Sequence, residues 1–254
     1  MTIFQCSDTL DGILCGVYDA WMSRLGHENV ALELEDTGNR KLFAEYRRAE
    51  ESREKTDKVI AAVYRKAGKQ AYDMVFRASL SREEEKADKI YRFLVYALNC
   101  GPKVADMLQI PAVYEIFRMN RNVANEAHLL IEFARFSETK DRVLVSMVGP
   151  KNDVTILMAP HFADRMPEEN WIIYDEGRRK GIVHKAGEGW MVVRTGDDAW
   201  KEQLRKGTDQ EKFAGLWKTF HRSIAIEERR NYVCQRGHLP LRFRPYMTEF
   251  SDRG

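Results

Sequence analysis

The hydrophobic period of this chain changes near Lys140, and no single kind of regular element accommodates both halves. Between Arg53 and Phe136, apolar residues recur every three or four positions: Val59, Ile60, Val63, Ala67, Tyr72, Val75 and Phe76, then Ile90, Phe93, Leu94 and Ala97, then Val123, Ala127, Leu130, Ile131 and Ala134. That spacing lines one face of a helix and predicts several helices packed on a common core. Beyond Lys140, short apolar runs alternate with turn-formers. Arg142–Val148, Val154–Ala159, Trp171–Tyr174, Gly181–Lys185 and Trp190–Arg194 are strand candidates, separated by Gly149–Asp153, Asp175–Gly177 and Ala186–Gly189. Pro160 to Pro167 predicts a short helical element closed by the second proline. The expected class is α+β: a mostly helical body, a small and mainly antiparallel sheet, and a docked C-terminal helix with an arginine-aromatic tail. Two regions follow, a mainly helical 1–140 with short N-terminal strands and an α+β 141–254 expected to share a core with it.

The N-terminus predicts a strand over Thr2–Cys6, a cap at Ser7 or Asp8, a helix carrying Leu10, Ile13, Leu14, Val17, Tyr18 and Trp21, and a strand over Val30–Glu35. Gly12 and Gly16 lie inside that helix and lower its propensity, so close approach by another backbone is expected there. Ser81 with Glu84 reads as a capping box, Arg82–Lys89 as a solvated helix start, and Gly101-Pro102 as a helix stop.

With 254 residues, 44% of them hydrophobic, the chain can bury a sizeable core. Its formal charge of +2 is near balance, so affinity for a polyanion must come from local clustering of basic groups. No stretch has the pattern of a secretory signal or the apolar length of a membrane span, and a soluble, cytoplasmic protein without a membrane partner is expected. Cys6, Cys15, Cys100 and Cys234 form no CxxC pair and read as free, buried thiols. Glycine-rich phosphate loops, GxSxG, HExxH and CxxxCxxC are all missing from the sequence, so no cofactor or metal is assigned to it.

The candidate chemistry is carried by arginine, histidine and aspartate. From Thr208 with Glu211 as a cap, Phe213, Leu216, Trp217, Phe220 and Ile224 form an apolar helical stripe. Arg229, Arg230, Arg236, Arg242 and Arg244 follow, interleaved with Tyr232, Phe243 and Tyr246. Guanidinium groups set among packed aromatics suit multidentate recognition of phosphate, and equally suit internal ion pairs. On the helix before the boundary, Arg121, Asn125, His128, Glu132 and Arg135 share a polar stripe, either a ladder of surface pairs or the wall of a pocket. His161 and Arg165 lie four apart, and Asp175 and Arg178 follow the Trp171 strand. His161, Asp175 and His128 are the candidate catalytic groups, a histidine exchanging a proton while a carboxylate fixes its tautomer. Arg135, Arg165, Arg178 and the five tail arginines are the candidate phosphate or nucleic-acid ligands. Arg178, Arg179, Lys180 and Lys185 form a second basic group. Catalysis, binding without chemistry and a purely structural network all remain open on spacing alone. His184, and the pair Cys234 and His238, are weaker candidates.

Pro160-His161-Phe162 with Arg165, Trp171-Ile172-Ile173 with Asp175 and Arg178, Leu216-Trp217, Phe220, Ile224, Arg229-Arg230-Asn231, Gln235 and Leu239-Pro240 resemble a bacterial "probable DNA metabolism protein" family. The resemblance runs from the Leu10 helix to Phe250. Members are encoded beside a radical-SAM protein and are sometimes fused to a uracil-DNA-glycosylase-like domain. The resemblance therefore implies an accessory role in DNA repair or modification, with DNA, single-stranded or damaged, and a radical-SAM protein as partners. It places any iron-sulfur cluster and SAM on that partner and supplies no catalytic assignment. An enzyme acting on DNA phosphates, ends or modified bases and a structural adaptor are the alternatives.

Overall fold

A computed structural model describes residues 1–35, 41–194, 204, 216–220, 223 and 231–250. The expected cap at Thr208 and Glu211, part of the apolar stripe (Phe213 and Ile224), and Arg229 and Arg230 lie outside the described residues. The class is α+β, with two compact units, Met1–Ala124 and Asn125–Gly254. The division falls inside a helix, earlier than the change of period.

The first unit opens with β1 (Thr2–Cys6), α1 (Leu10–Met22), β2 (Val30–Leu34) and β3 (Glu45–Arg48). β1 is the central strand of a parallel sheet ordered β2-β1-β3. β3 escapes the hydrophobic pattern because Glu45-Tyr46-Arg47-Arg48 is a polar, largely exposed edge strand. The cap of α1 is Thr9 rather than Ser7 or Asp8: its hydroxyl accepts from Gly12 N at 2.9 Å. Ser7 instead packs on the helix. A Cβ at Gly12 would stand 2.0 Å from Ser7 Oγ and 2.8 Å from Ser7 O, so the expected close approach of backbone is present there, whereas Gly16 faces the side chains of Leu32 and Cys6.

α2 (Arg53–Ser79), α3 (Lys86–Cys100), a 3₁₀ segment (Gly101–Asp106) and α4 (Pro111–Phe133) complete the helical body. Gly68 interrupts α2 with φ of +82°, and Gly101 ends α3 with φ of +73°, both conformations that glycine adopts without a Cβ penalty. Ile90, Tyr91, Phe93 and Leu94 are fully buried at the centre of this unit's core. The Ser81 hydroxyl accepts from Glu83 N, and α3 starts only at Lys86, so the expected capping box does not close. Nor is the charge run simply a solvated helix start. Lys86 is buried and donates to Ser81 O at 2.7 Å and Asp8 at 2.5 Å, while Lys89 and Arg118 share Glu83 and Glu115. Cys6 and Cys15 are buried and Cys100 and Cys234 exposed, all four free. Burial, aided by Glu35 and Asp8, pushes the Cys6 thiol up to about 12.

The second unit holds a sheet ordered β4-β5-β6-β7-β8. β4 (Ser137–Glu138), β5 (Leu144–Val148), β6 (Trp171–Asp175), β7 (Lys180–Lys185) and β8 (Gly189–Arg194) pair antiparallel except for β5 with β6. α5 (Thr155–Arg165) connects that parallel pair. Val154–Ala159 is therefore helical, not a strand. Its buried positions Thr155, Met158, Ala159 and Phe162 repeat at three, four and seven, a pattern visible only when the residues on both sides of Pro160 are read as one element. Trp171 is buried, stacks on His184 with centroids 4.8 Å apart, and meets Phe162 edge-on. α6 (Tyr232–His238) and two 3₁₀ segments, Leu241–Tyr246 and Thr248–Phe250, end the described chain. No helix among the described residues is long and apolar enough to cross a membrane.

Candidate functional site

The parallel pairing places Val148 opposite Asp175, so the carboxyl ends of β5 and β6 lie side by side. Loops leaving such ends commonly carry the ligand sites of open sheets. Here they are the loop 149–153 and the turn beginning at Asp175.

Three parts of the chain clamp the 149–153 loop. From the turn, Asp175 is fully buried and accepts from Gly177 N at 2.9 Å, Arg178 N at 3.1 Å and Arg178 Nη1 at 3.0 Å. Arg178 also donates to the carbonyls of Pro150 and Lys151, and Lys180 grips Asp153 at 2.6 and 2.7 Å. From α4, the buried Glu126 accepts from Lys151 N at 2.9 Å, Asn152 N at 2.8 Å, Asn152 Nδ2 at 2.7 Å and Arg242 Nη2 at 2.9 Å. From the tail, Phe243 is buried 6.3 Å from Phe133, with the Arg242 guanidinium 4.5 Å from its own ring centre. Tyr246 lies so close to Gly149 that a Cβ there would stand 2.2 Å from its hydroxyl.

The charges are layered. The side chains of Asp175 and Glu126 are 0% and 4% exposed, whereas those of Arg178 and Arg242 are 29% and 35% exposed. Carboxylates thus stand behind arginine side chains that stay partly exposed, with Arg242 Nε itself buried. Lys151 at the tip of the loop is exposed and has no side-chain partner among the described residues.

Burial pushes the Asp175 carboxyl above the ordinary aspartate range, and the Arg178 guanidinium and its backbone N–H oppose that shift. A raised carboxyl holds its proton longer in the folded than in the unfolded state. Its contribution to stability is therefore complete below the unfolded value and is lost as pH rises through the folded one. Relative to Asp175→Asn, the wild type is expected to lose stability as pH rises from about 3 towards 7. Paired denaturant titrations across that range check this, and a difference that rises with pH would refute it.

The remaining candidates have separate partners. His128 is exposed and pairs with Glu132 at 3.1 Å, the surface-ladder arrangement. Arg135 binds the buried carboxylate of Glu249 at 2.9 Å, beneath Trp217, whose indole N–H donates to the same carboxylate at 3.1 Å. Burial would raise the Glu249 carboxyl, but these donors hold it low. His161 and Arg165 are exposed on α5, and Arg236 is exposed on α6. Arg244 donates to Gln235 at 3.3 Å and lies over Phe250. His184 is buried, its Nδ1 2.9 Å from the Glu169 carbonyl. Asp175, Arg178 and Arg242 are thus brought to one loop. His128 and His161 do not join them, and among the described residues no three His, Cys, Asp or Glu side chains could hold a metal.

Sequence reasoning misses Glu126 and Lys151, and it groups Lys180 with Arg178, Arg179 and Lys185 although the residue is buried against Asp153. Glu126 carries a signal, since it lies between Val123 and Leu130 on the apolar face of α4, where a carboxylate must find donors or unfold the site.

No curated protein and no solved structure matches the chain. Residues 84–249, more than half of it and including the whole loop cluster, match the family described as a domain of unknown function, DUF4130. The chain belongs to that family.

Proposed function

We propose that this protein is a nucleic-acid-binding accessory factor of DNA repair or modification, working beside a radical-SAM protein that carries the iron-sulfur cluster and SAM. The single observation that supports binding is the layering around the 149–153 loop: the partly exposed Arg178 and Arg242 and the exposed Lys151, which has no side-chain partner among the described residues, with Asp175 and Glu126 buried behind them. Such a rim suits the oxygens of a phosphate backbone, and prior fixation of the guanidinium groups lowers the entropy lost on contact. The exposed Arg165 and Arg236 are further cations for a strand to meet. The DNA process and the radical-SAM partner rest on the sequence resemblance alone.

Lys151 is the residue to test, because among the described residues its side chain holds nothing else in place. Lys151→Glu is expected to weaken binding of single-stranded and duplex DNA at low salt. It should also reduce the slope of log affinity against log salt by about 1, with thermal stability unchanged. Fluorescence anisotropy across a salt series reads both. Absence of DNA binding by the wild type at low salt, alone or with the radical-SAM protein, would overturn the proposal.

A further inference from the structure

An edge strand presents unpaired N–H and C=O groups that pair with other extended chains unless something covers or repels them. In the first unit both edges are guarded. α3 closes the outer edge of β2, where Asp88 accepts from Leu32 N at 3.2 Å and Arg92 donates to Val30 O at 2.5 Å. β3, the opposite edge, carries the charges of Glu45, Arg47 and Arg48. In the second unit β4 is an edge of two residues, but β8 is an edge of six, Gly189-Trp190-Met191-Val192-Val193-Arg194.

β8 has no comparable guard. Trp190 and Val192, which face one way, are 37% and 41% exposed, and Met191, which faces the other, is 64% exposed. β7 pairs along the whole strand on one side, so alternate residues of β8 turn both backbone groups away from it. Among the described residues no hydrogen bond reaches those outward groups. The two ends of the strand carry opposite charges. Glu188, just before β8, pairs with Lys185 at 2.5 Å, an exposed surface pair of little energetic weight. Arg194 is exposed and has no carboxylate partner among the described residues.

Two identical strands joined antiparallel about a twofold axis pair residues at equal distances from that axis. Centred on Met191, β8 sets Glu188 of each copy against Arg194 of the other and Trp190 against Val192, while Met191 meets itself. Centring on Trp190 sets Glu188 against Val192, and centring on Val192 sets Trp190 against Arg194. Neither alternative joins opposite charges.

We infer that β8 is a homodimerisation edge: the β8 strands of two copies pair antiparallel about a twofold axis at Met191, giving one continuous sheet with five strands from each copy. Main-chain bonds supply the attraction that any added strand would feel. The Glu188–Arg194 pairs and the Trp190–Val192 contacts select the register and a second copy as the occupant. None of these residues belongs to the 149–153 loop cluster, so the inference stands whether or not that loop meets DNA.

The test is sedimentation equilibrium of the full chain without DNA, at low salt, from micromolar to submillimolar concentration. A monomer–dimer equilibrium is expected. Met191→Lys, at an exposed position, brings two like charges together on the axis and should weaken the dimer about tenfold or more. Arg194→Glu sets carboxylates against each other at both ends and should weaken it about tenfold, and adding Glu188→Arg should restore most of that loss. Circular dichroism checks that the exposed substitutions leave the fold intact. A monomer throughout the range would overturn the inference, whether the β8 amides then exchange freely or are protected by another part of the same chain. So would a dimer indifferent to Met191→Lys, which uses a different surface. Indifference to Arg194→Glu, or failure of Glu188→Arg to rescue it, would overturn the twofold register. Lys151→Glu should leave the dimer unchanged, so this edge and the loop can fail separately.

Discussion

Replacing Glu126 with alanine is expected to destabilise the second unit by about 3–5 kcal/mol, the range for breaking a buried pair by removing one partner. The carboxylate is 4% exposed and accepts from two backbone amides, one side-chain amide and one guanidinium. Alanine leaves all four donors without that acceptor, three of them on the loop that carries Lys151. Glutamine keeps the volume and one acceptor but turns an N–H towards the donors, so an intermediate loss is expected. Because the chain forms two units, a single unfolding curve mixes their signals. Amide hydrogen exchange at Lys151 and Asn152 reads the relevant one. Loss of protection there with little change in the first unit is the expected result; a global effect below about 0.5 kcal/mol, typical of surface substitutions, would mean that the Glu126 clamp does not hold this loop.

Trp171→Ala should be comparably severe, about 3–5 kcal/mol, as for other large buried aromatics. Trp171 has 0% exposure, stacks on His184 with an interplanar angle of 3°, and meets the Phe162 ring at 6.3 Å. Its removal opens a cavity beneath α5 and leaves the buried His184 without its stacking partner. Trp171→Phe discriminates packing from polar effects. The indole Nε1 is buried with no acceptor among the described residues, so phenylalanine loses some volume but also removes an N–H without a partner there. The phenylalanine variant is therefore expected to lose far less than the alanine variant in urea unfolding of the second unit. Equal losses would place the cost in something other than ring packing.

Elements whose signal is local are legible in the amino-acid sequence. α1, β1, β2 and the helical stretch ending at Gly101 follow from the spacing of apolar residues and from glycine punctuation, both set by neighbours within a turn or two. β3 is not legible, since an exposed edge strand of Glu, Tyr and Arg has no alternation to read. α5 reads as two elements in the sequence because proline in mid-helix usually marks a boundary, whereas its buried face continues through Pro160. The candidate site divides in the same way. Arginines interleaved with aromatics are visible as residue types, but nothing in their spacing tells which carboxylate each will meet.

The sequence by itself determined the α+β class, most of the regular elements, and a tail rich in guanidinium groups and rings, because periodicity and composition are properties of neighbouring residues. Only the tertiary structure decided that Arg242 meets Glu126 across 116 positions and Arg135 meets Glu249 across 114. It also decided that the amide of Asn120, satisfied on its nitrogen by Met74 and Ile116, leaves its oxygen without a partner among the described residues. Such pairings are fixed by the packing of whole elements, which brings groups together across a separation that local patterning does not encode.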